Sequence, residues 1–189
     1  MQEHVNQTET LKELYDKYSR MVFNVAFRML QNREDAEDVT QDVFLKVYKS
    51  LKYFRGESQI STWLYRITIN QSLNLQRKRK YKQWLSLSKQ ADVSDSFENN
   101  DDNIDIAGAP EESPDAVLER KETERVVQEA INQLPEQQRT ALLLHRYEGL
   151  SYEEIAKIMD VSVASVESRL HRAKIALTKK LLPLKKELE

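Results

Sequence analysis

The sequence predicts an all-α fold: two small helical domains joined by an acidic flexible linker. Three observations predict it. Apolar residues recur at steps of three and four near both ends of the chain, the period that gives a helix one buried stripe. Only 3 Gly and 4 Pro punctuate 189 residues, too few for the turns of a many-stranded sheet. The charge, −2 in sum, is sorted into blocks. From Ser58 to Ala91 there are seven basic residues (Arg66, Arg77, Lys78, Arg79, Lys80, Lys82, Lys89) and no acid. From Asp92 to Leu118 there are nine acids and no base. From Ser165 to Lys186 seven Lys/Arg stand against Glu167 alone. Two polyanion-binding ends thus flank an acidic spacer.

The first helix follows from Leu11, Leu14, Tyr15, Tyr18, Val22, Val25, Ala26 and Met29, which form one apolar stripe. The stripe breaks at Gln31-Asn32-Arg33. Asn32 suits the N-cap of a second helix, with Asp35 three positions on. That helix is expected to bury Val39, Val43, Val47 and Leu51 and to carry Asp35, Asp38, Gln41 and Asp42 on its other side. A third helix is expected from Ser61 or Thr62 through the basic cluster, with Trp63, Ile67 and Leu73 inward. These elements make a first domain over residues 10–82. Residues 83–116 read as the linker, being polar, acidic and too poor in apolar side chains to offset the entropy of ordering.

The second domain, 117–182, opens with Val126, Val127, Ala130, Ile131 and Leu134 on one face. Pro135 suits the start of the next helix, which stops at Gly149. Ser151 and Glu154 form an S-x-x-E capping box. Met159-Asp160-Val161 reads as a short turn, and Ser162 as the cap of a last helix burying Val166, Leu170, Ala173 and Leu177. Two helices on a short turn, with Ala156 at their crossing, make a helix-turn-helix pattern.

Three groups of side chains carry chemistry. On the last helix Ser165, Ser168, Arg169 and Arg172 are expected outward, where Arg suits guanine edges and Ser suits bases or phosphates. Lys174, Lys179 and Lys180 add phosphate contacts, and Glu167 is tolerable there only as an acceptor from a cytosine amino group. The bland alternative is a helical hairpin with a solvated basic face. On the third helix, Trp63, Tyr65 and Arg66 precede Asn70 and Asn74 and the run Arg77-Lys78-Arg79-Lys80. Aromatic planes beside cations suit melted or single-stranded DNA, whose unstacked bases stack on them. Here the alternative is that Trp63 is core and the basic run a solubilising helix end. Asp38, Gln41 and Asp42 share one helical side, and from chemistry alone a solvated face is the simpler reading.

Other classes find little support. His4, His145 and His171 are scattered, and H-E-x-x-H, P-loop and G-x-S-x-G are absent, so neither an enzyme, a metal site nor a cofactor is expected. Without cysteine there is no disulfide and no thiolate zinc site. No apolar run reaches the ~20 residues of a membrane span. The N-terminal MQEHVNQTETLKELYDKY lacks the pattern of a signal peptide. A cytoplasmic location without membrane insertion is the expectation.

DAEDVTQDVFLKVYKSLKYFRGESQISTWLYRITIN, followed by INQLPEQQRTALLLHRYEGLSYEEIAKIMDVSVASVESRLHRAKIAL, resembles the extracytoplasmic-function (ECF) sigma factors of bacteria, in the sigma-70 family. The resemblance covers residues 10–81 and 118–182. It implies that the first domain is sigma region 2, with Asp35, Asp38, Gln41 and Asp42 meeting the clamp helices of the polymerase β′ subunit. It assigns Ser61, Thr62, Trp63, Tyr65, Arg66, Asn70, Asn74 and Arg77, Lys78, Arg79 and Lys80 to melting and reading the −10 element. The second domain becomes sigma region 4, contacting the β flap and reading the −35 element through Ser165, Glu167, Ser168, Arg169, His171, Arg172 and Lys174. The implied partners are core RNA polymerase, promoter DNA and a separate anti-sigma factor; the implied output is a stress or envelope-response regulon. The acidic linker is expected to thread a basic polymerase channel. Many relatives carry Lys or Arg where Glu167 stands, and Gly where Ala164 stands, so the −35 sequence does not carry over. The rival reading is a helix-turn-helix regulator of duplex DNA that never enters polymerase.

Overall fold

A computed structural model describes residues 2–54, 59–89 and 114–187, with side chains over 11–54, 59–86, 117 and 120–182. The chain divides into two compact units, Met1–Asp102 and Asn103–Glu189. Every described element is helical.

The first unit holds α1 (Gln2–Leu30), α2 (Arg33–Ser50), a 3-10 turn (Leu51–Tyr53) and α3 (Ile60–Lys89). Gln31 ends α1 in the left-handed region, at φ 54°, and its side-chain amide donates to the Arg28 carbonyl at 2.9 Å. Asn32 then starts α2, its Oδ1 accepting from the Asp35 N–H at 2.9 Å. A break of two residues therefore satisfies one exposed carbonyl and one exposed amide. Val22, Ala26, Ala36, Val39, Val43, Phe44, Val47 and Leu64 form the core shared by the three helices. Thr68 and Ser72 of α3 are fully buried, each hydroxyl donating to a carbonyl four residues back, at 2.8 and 2.9 Å. Both polar groups are thereby satisfied without leaving the core.

Some expectations shift. Tyr15, placed in the buried stripe, is 47% exposed with its ring edge-on to Phe44 at 4.8 Å. Leu51 lies in the 3-10 turn and is half-buried. α3 begins at Ile60, and it continues to Lys89, past the expected boundary at residue 82. The acidic stretch from 90 to 113 lies outside the described residues.

The second unit holds α4 (Pro114–Asn132), α5 (Glu136–Glu148), α6 (Tyr152–Met159) and α7 (Val163–Glu187). α7 packs on the other three. Ala130, Ile131, Leu134, Leu143, Leu144, Ile155, Ile158, Val166, Leu170 and Ala173 are buried. Gly149 closes α5 at φ 66°, and the next amide, of Leu150, donates back to the Leu144 carbonyl at 3.3 Å.

Candidate nucleic-acid and partner interfaces

The outer face of α2 is mixed. Asp38, Gln41 and Asp42 are exposed on it, and Leu45 (56% exposed) and Tyr48 (44%) continue it. Both lie at helical spacing from the polar residues: 38, 41, 42, 45 and 48 form one side. Sequence reasoning stopped at the polar members, although the same spacing reaches the apolar ones. Asp35 is not part of that side. It is 7% exposed and forms an ion pair with Arg79 of α3.

At the edge of this face an open groove of about 620 Å³ runs between α2 and α3. Asp42, Leu45, Lys46 and Lys49 line one wall; Gln71, Asn74, Arg77 and Lys78 line the other. Lys46 Nζ donates to Gln71 Oε1 at 2.8 Å across it. Groups expected to serve two different partners, Asp42 for one and Asn74, Arg77 and Lys78 for the other, therefore share one groove.

On α3, Arg66, Asn70, Asn74, Arg77, Lys78 and Lys80 are exposed. Ser61, Thr62 and Trp63 are half-buried, Trp63 against Phe54 with ring centroids 5.0 Å apart. Tyr65, expected on the contact surface, is instead 8% exposed. It stands four residues before buried Ile69, on the core side of the helix. Arg79 is exposed along its length but its guanidinium engages Asp35.

In the second unit, the helix-turn-helix is built by local bonds. Ser151 N–H donates to Glu154 Oε2 at 2.9 Å, and Glu154 N–H donates to Ser151 Oγ at 3.2 Å. Hydrogen bonding of Ser151 to the carboxyl, from its backbone N–H foremost and then its side chain, holds the Glu154 carboxyl below its ordinary value of 4.5. His145 Nδ1 lies 3.0 Å from the Leu150 carbonyl, and its ring meets Tyr152 edge-on at 5.2 Å. The entry to α6 is thus tied to the end of α5. Asp160 then turns the chain at φ 55°, and Val161 N–H donates to the Ala156 carbonyl at 3.0 Å. Ser162 Oγ accepts from Ser165 N–H at 3.2 Å and starts α7.

On α7, Glu167, Ser168, His171, Arg172 and Lys174 are exposed. Ser165 and Arg169, expected outward, are half-buried. Ser165 sits in the capping turn, and Arg169 leans back so that Nη1 lies 3.9 Å from Met159 Sδ of α6. Among the described residues no cluster of His, Cys, Asp and Glu is placed to hold a metal ion. No described helix is long and apolar enough to cross a membrane.

Residues 14–81 match the family model for sigma-70 region 2, and residues 124–177 match that for sigma-70 region 4. The RNA polymerase sigma-H factor of Pseudomonas aeruginosa is 40% identical over 173 residues, 90% of this chain and 86% of that protein. The ECF RNA polymerase sigma-E factor of Escherichia coli K12 is 35% identical over 170 residues, covering 89% and 84%. Among solved structures, the sigma factor RpoE of Bartonella quintana, crystallised with the anti-sigma factor NepR, superposes with a TM-score of 0.65 at 22% identity, over 92% of this chain and 97% of that one. CnrH, in complex with the cytosolic domain of CnrY, gives 0.63 at 21%, over 92% and 88%.

Proposed function

The chain belongs to the ECF sigma-70 family, and from that premise we propose how its surfaces divide the work of a sigma factor. The α2 face, Asp38, Gln41 and Asp42 with Leu45 and Tyr48, docks on the β′ clamp of core RNA polymerase. Arg66, Asn70 and Asn74, with Ser61, Thr62 and Trp63 at the head of α3, receive the −10 element as it opens. Arg77, Lys78 and Lys80 follow its phosphates. Glu167, Ser168, His171, Arg172 and Lys174 of α7 meet the −35 element in the major groove, with Ser165 and Arg169 at the edge of that surface. The β flap meets the same unit.

The observation that carries this division is the groove between α2 and α3. Its α2 wall holds Asp42 and Leu45 beside Lys46 and Lys49, and its α3 wall holds Asn74, Arg77 and Lys78, which supports a partner-docking role next to a polyanion-binding one within one small unit. A stand-alone regulator of duplex DNA has no use for that pairing. The protein itself carries out no covalent chemistry: it positions polymerase and stabilises opened DNA, in the cytoplasm where polymerase works. A stress or envelope-response regulon is the output we propose, held in check by a separate anti-sigma factor, as RpoE is bound by NepR in its solved structure.

The test is co-elution with core RNA polymerase. The parent is expected at one-to-one stoichiometry, and an Asp38→Ala/Gln41→Ala/Asp42→Ala variant is expected to lose it while keeping its helical circular dichroism. Leu45→Ala is expected to weaken it as well. Retention of full binding by the triple variant would remove α2 from the docking face.

A further inference from the structure

Tyr81 and Trp84, near the end of α3, are each 63% exposed. Their rings stack on one another, centroids 6.3 Å apart and planes 24° from parallel. Trp84 lies beyond residue 81, where the match to region 2 ends. The pair covers no core. Large aromatic side chains left in water on a helix surface mark a contact site more often than a packing remnant.

Two features say what it contacts. The first is alignment. Arg66, Asn70, Asn74, Arg77, Tyr81 and Trp84 follow one another at steps of four, four, three, four and three, so they fall on a single helical face. All six are exposed. The face is about 27 Å long at 1.5 Å per residue. That is the length of about eight stacked nucleotides at 3.4 Å each. The second is charge. Lys78, Lys80 and Lys82 flank the pair, and no acid occurs between Ser58 and Ala91. Asp42 of α2 is the one acid lining the groove beside Arg77 and Lys78, and a helix face whose own charges are all cationic, with aromatic rings between them, matches a polyanion with stackable bases.

We propose that the Tyr81–Trp84 pair is a second base-stacking platform, which extends the DNA-binding face of α3 beyond the family's matched region. It takes an unstacked nucleotide of the same strand that lies along Arg66, Asn70 and Asn74. The inference rests on the reading of that face as the −10 surface. Cations on either side hold the phosphates while the indole and phenol rings supply sequence-tolerant stacking.

The full chain is assembled with core polymerase and bound to a pre-opened bubble duplex whose unpaired strand carries 5-iodouracil. Irradiation is expected to give adducts at Tyr81 or Trp84. A Tyr81→Ala/Trp84→Ala variant is expected to co-elute with polymerase as the parent does and to bind the bubble about five- to a hundredfold more weakly. A Tyr81→Phe/Trp84→Phe variant is expected to restore most of that loss. Absence of adducts at both positions, or unchanged bubble affinity in the alanine variant, overturns the proposal. So does loss of co-elution in that variant, because it would give the pair to a protein partner. Failure of the parent to co-elute would strike the sigma-factor reading instead; the full chain alone on the same bubble then decides the stacking platform by the same adducts.

Discussion

Arg79 looks like one of four equal cations in Arg77-Lys78-Arg79-Lys80, yet it has a different task from its neighbours. It reaches Asp35, which is 7% exposed at the start of α2, and so ties α3 to α2. Removing one partner leaves the other charge in a poorly hydrated place, and that costs more than the pair itself contributes. Arg79→Ala is therefore expected to lower stability by about 1–3 kcal/mol, measured by urea unfolding, with little loss of DNA affinity beyond that. Lys78→Ala is expected to do the reverse, reducing the slope of log affinity against log salt by about 1 while leaving the unfolding midpoint in place. The division was not legible in the sequence, because Asp35 and Arg79 are 44 residues apart and meet only through the register of two packed helices. Tyr65 is another matter. Its step of four to Ile69 placed it on the inner side, but its neighbours Trp63 and Arg66 suggested an aromatic–basic contact surface.

The helices differ in how much of each could be foreseen. α6 was the most legible: an S-x-x-E start and an apolar Ile155-Ala156 pair specify it locally, and both capping bonds are present. The capping carboxylate also sets a pH dependence. Its value is lowered in the folded state, so the unfolded chain binds the proton more tightly. The stabilisation is complete above the ordinary value of 4.5 and is lost as pH falls through the folded value. Melting of the parent is thus expected to fall more steeply as pH drops below 4.5 than that of Glu154→Gln, as followed by circular dichroism; parallel curves would show the carboxylate to be uninvolved. α2 was half legible, since its polar residues announced a face and Leu45 and Tyr48 completed it unnoticed. The end of α3 was least legible. Residues 83–89 are polar enough to read as linker, and only the helical phase carried forward from Arg66 reveals that Trp84 continues the same side.

Two units, each with its own buried cluster, were foreseen from periodicity and charge blocks, because the acidic stretch offers no apolar stripe of its own. Separate cores have separate stabilities. The tryptophans make this observable. The chain has two, Trp63 and Trp84, and both belong to the first unit. Trp63 is half-buried against Phe54, while Trp84 is largely in water, so the first alone is set to change surroundings greatly on unfolding. The second unit has no indole at all. Seen by tryptophan emission the molecule is lit in one unit and dark in the other. Denaturation followed at tryptophan wavelengths is expected to trace the first unit alone, and circular dichroism to trace both, giving curves that do not superimpose. Superimposed curves would mean that the two units melt as one or with equal stability. A single Trp at Tyr147, introduced into the dark unit together with Trp63→Phe and Trp84→Phe, would move the light to the other unit and let each unit be timed separately as partners engage it.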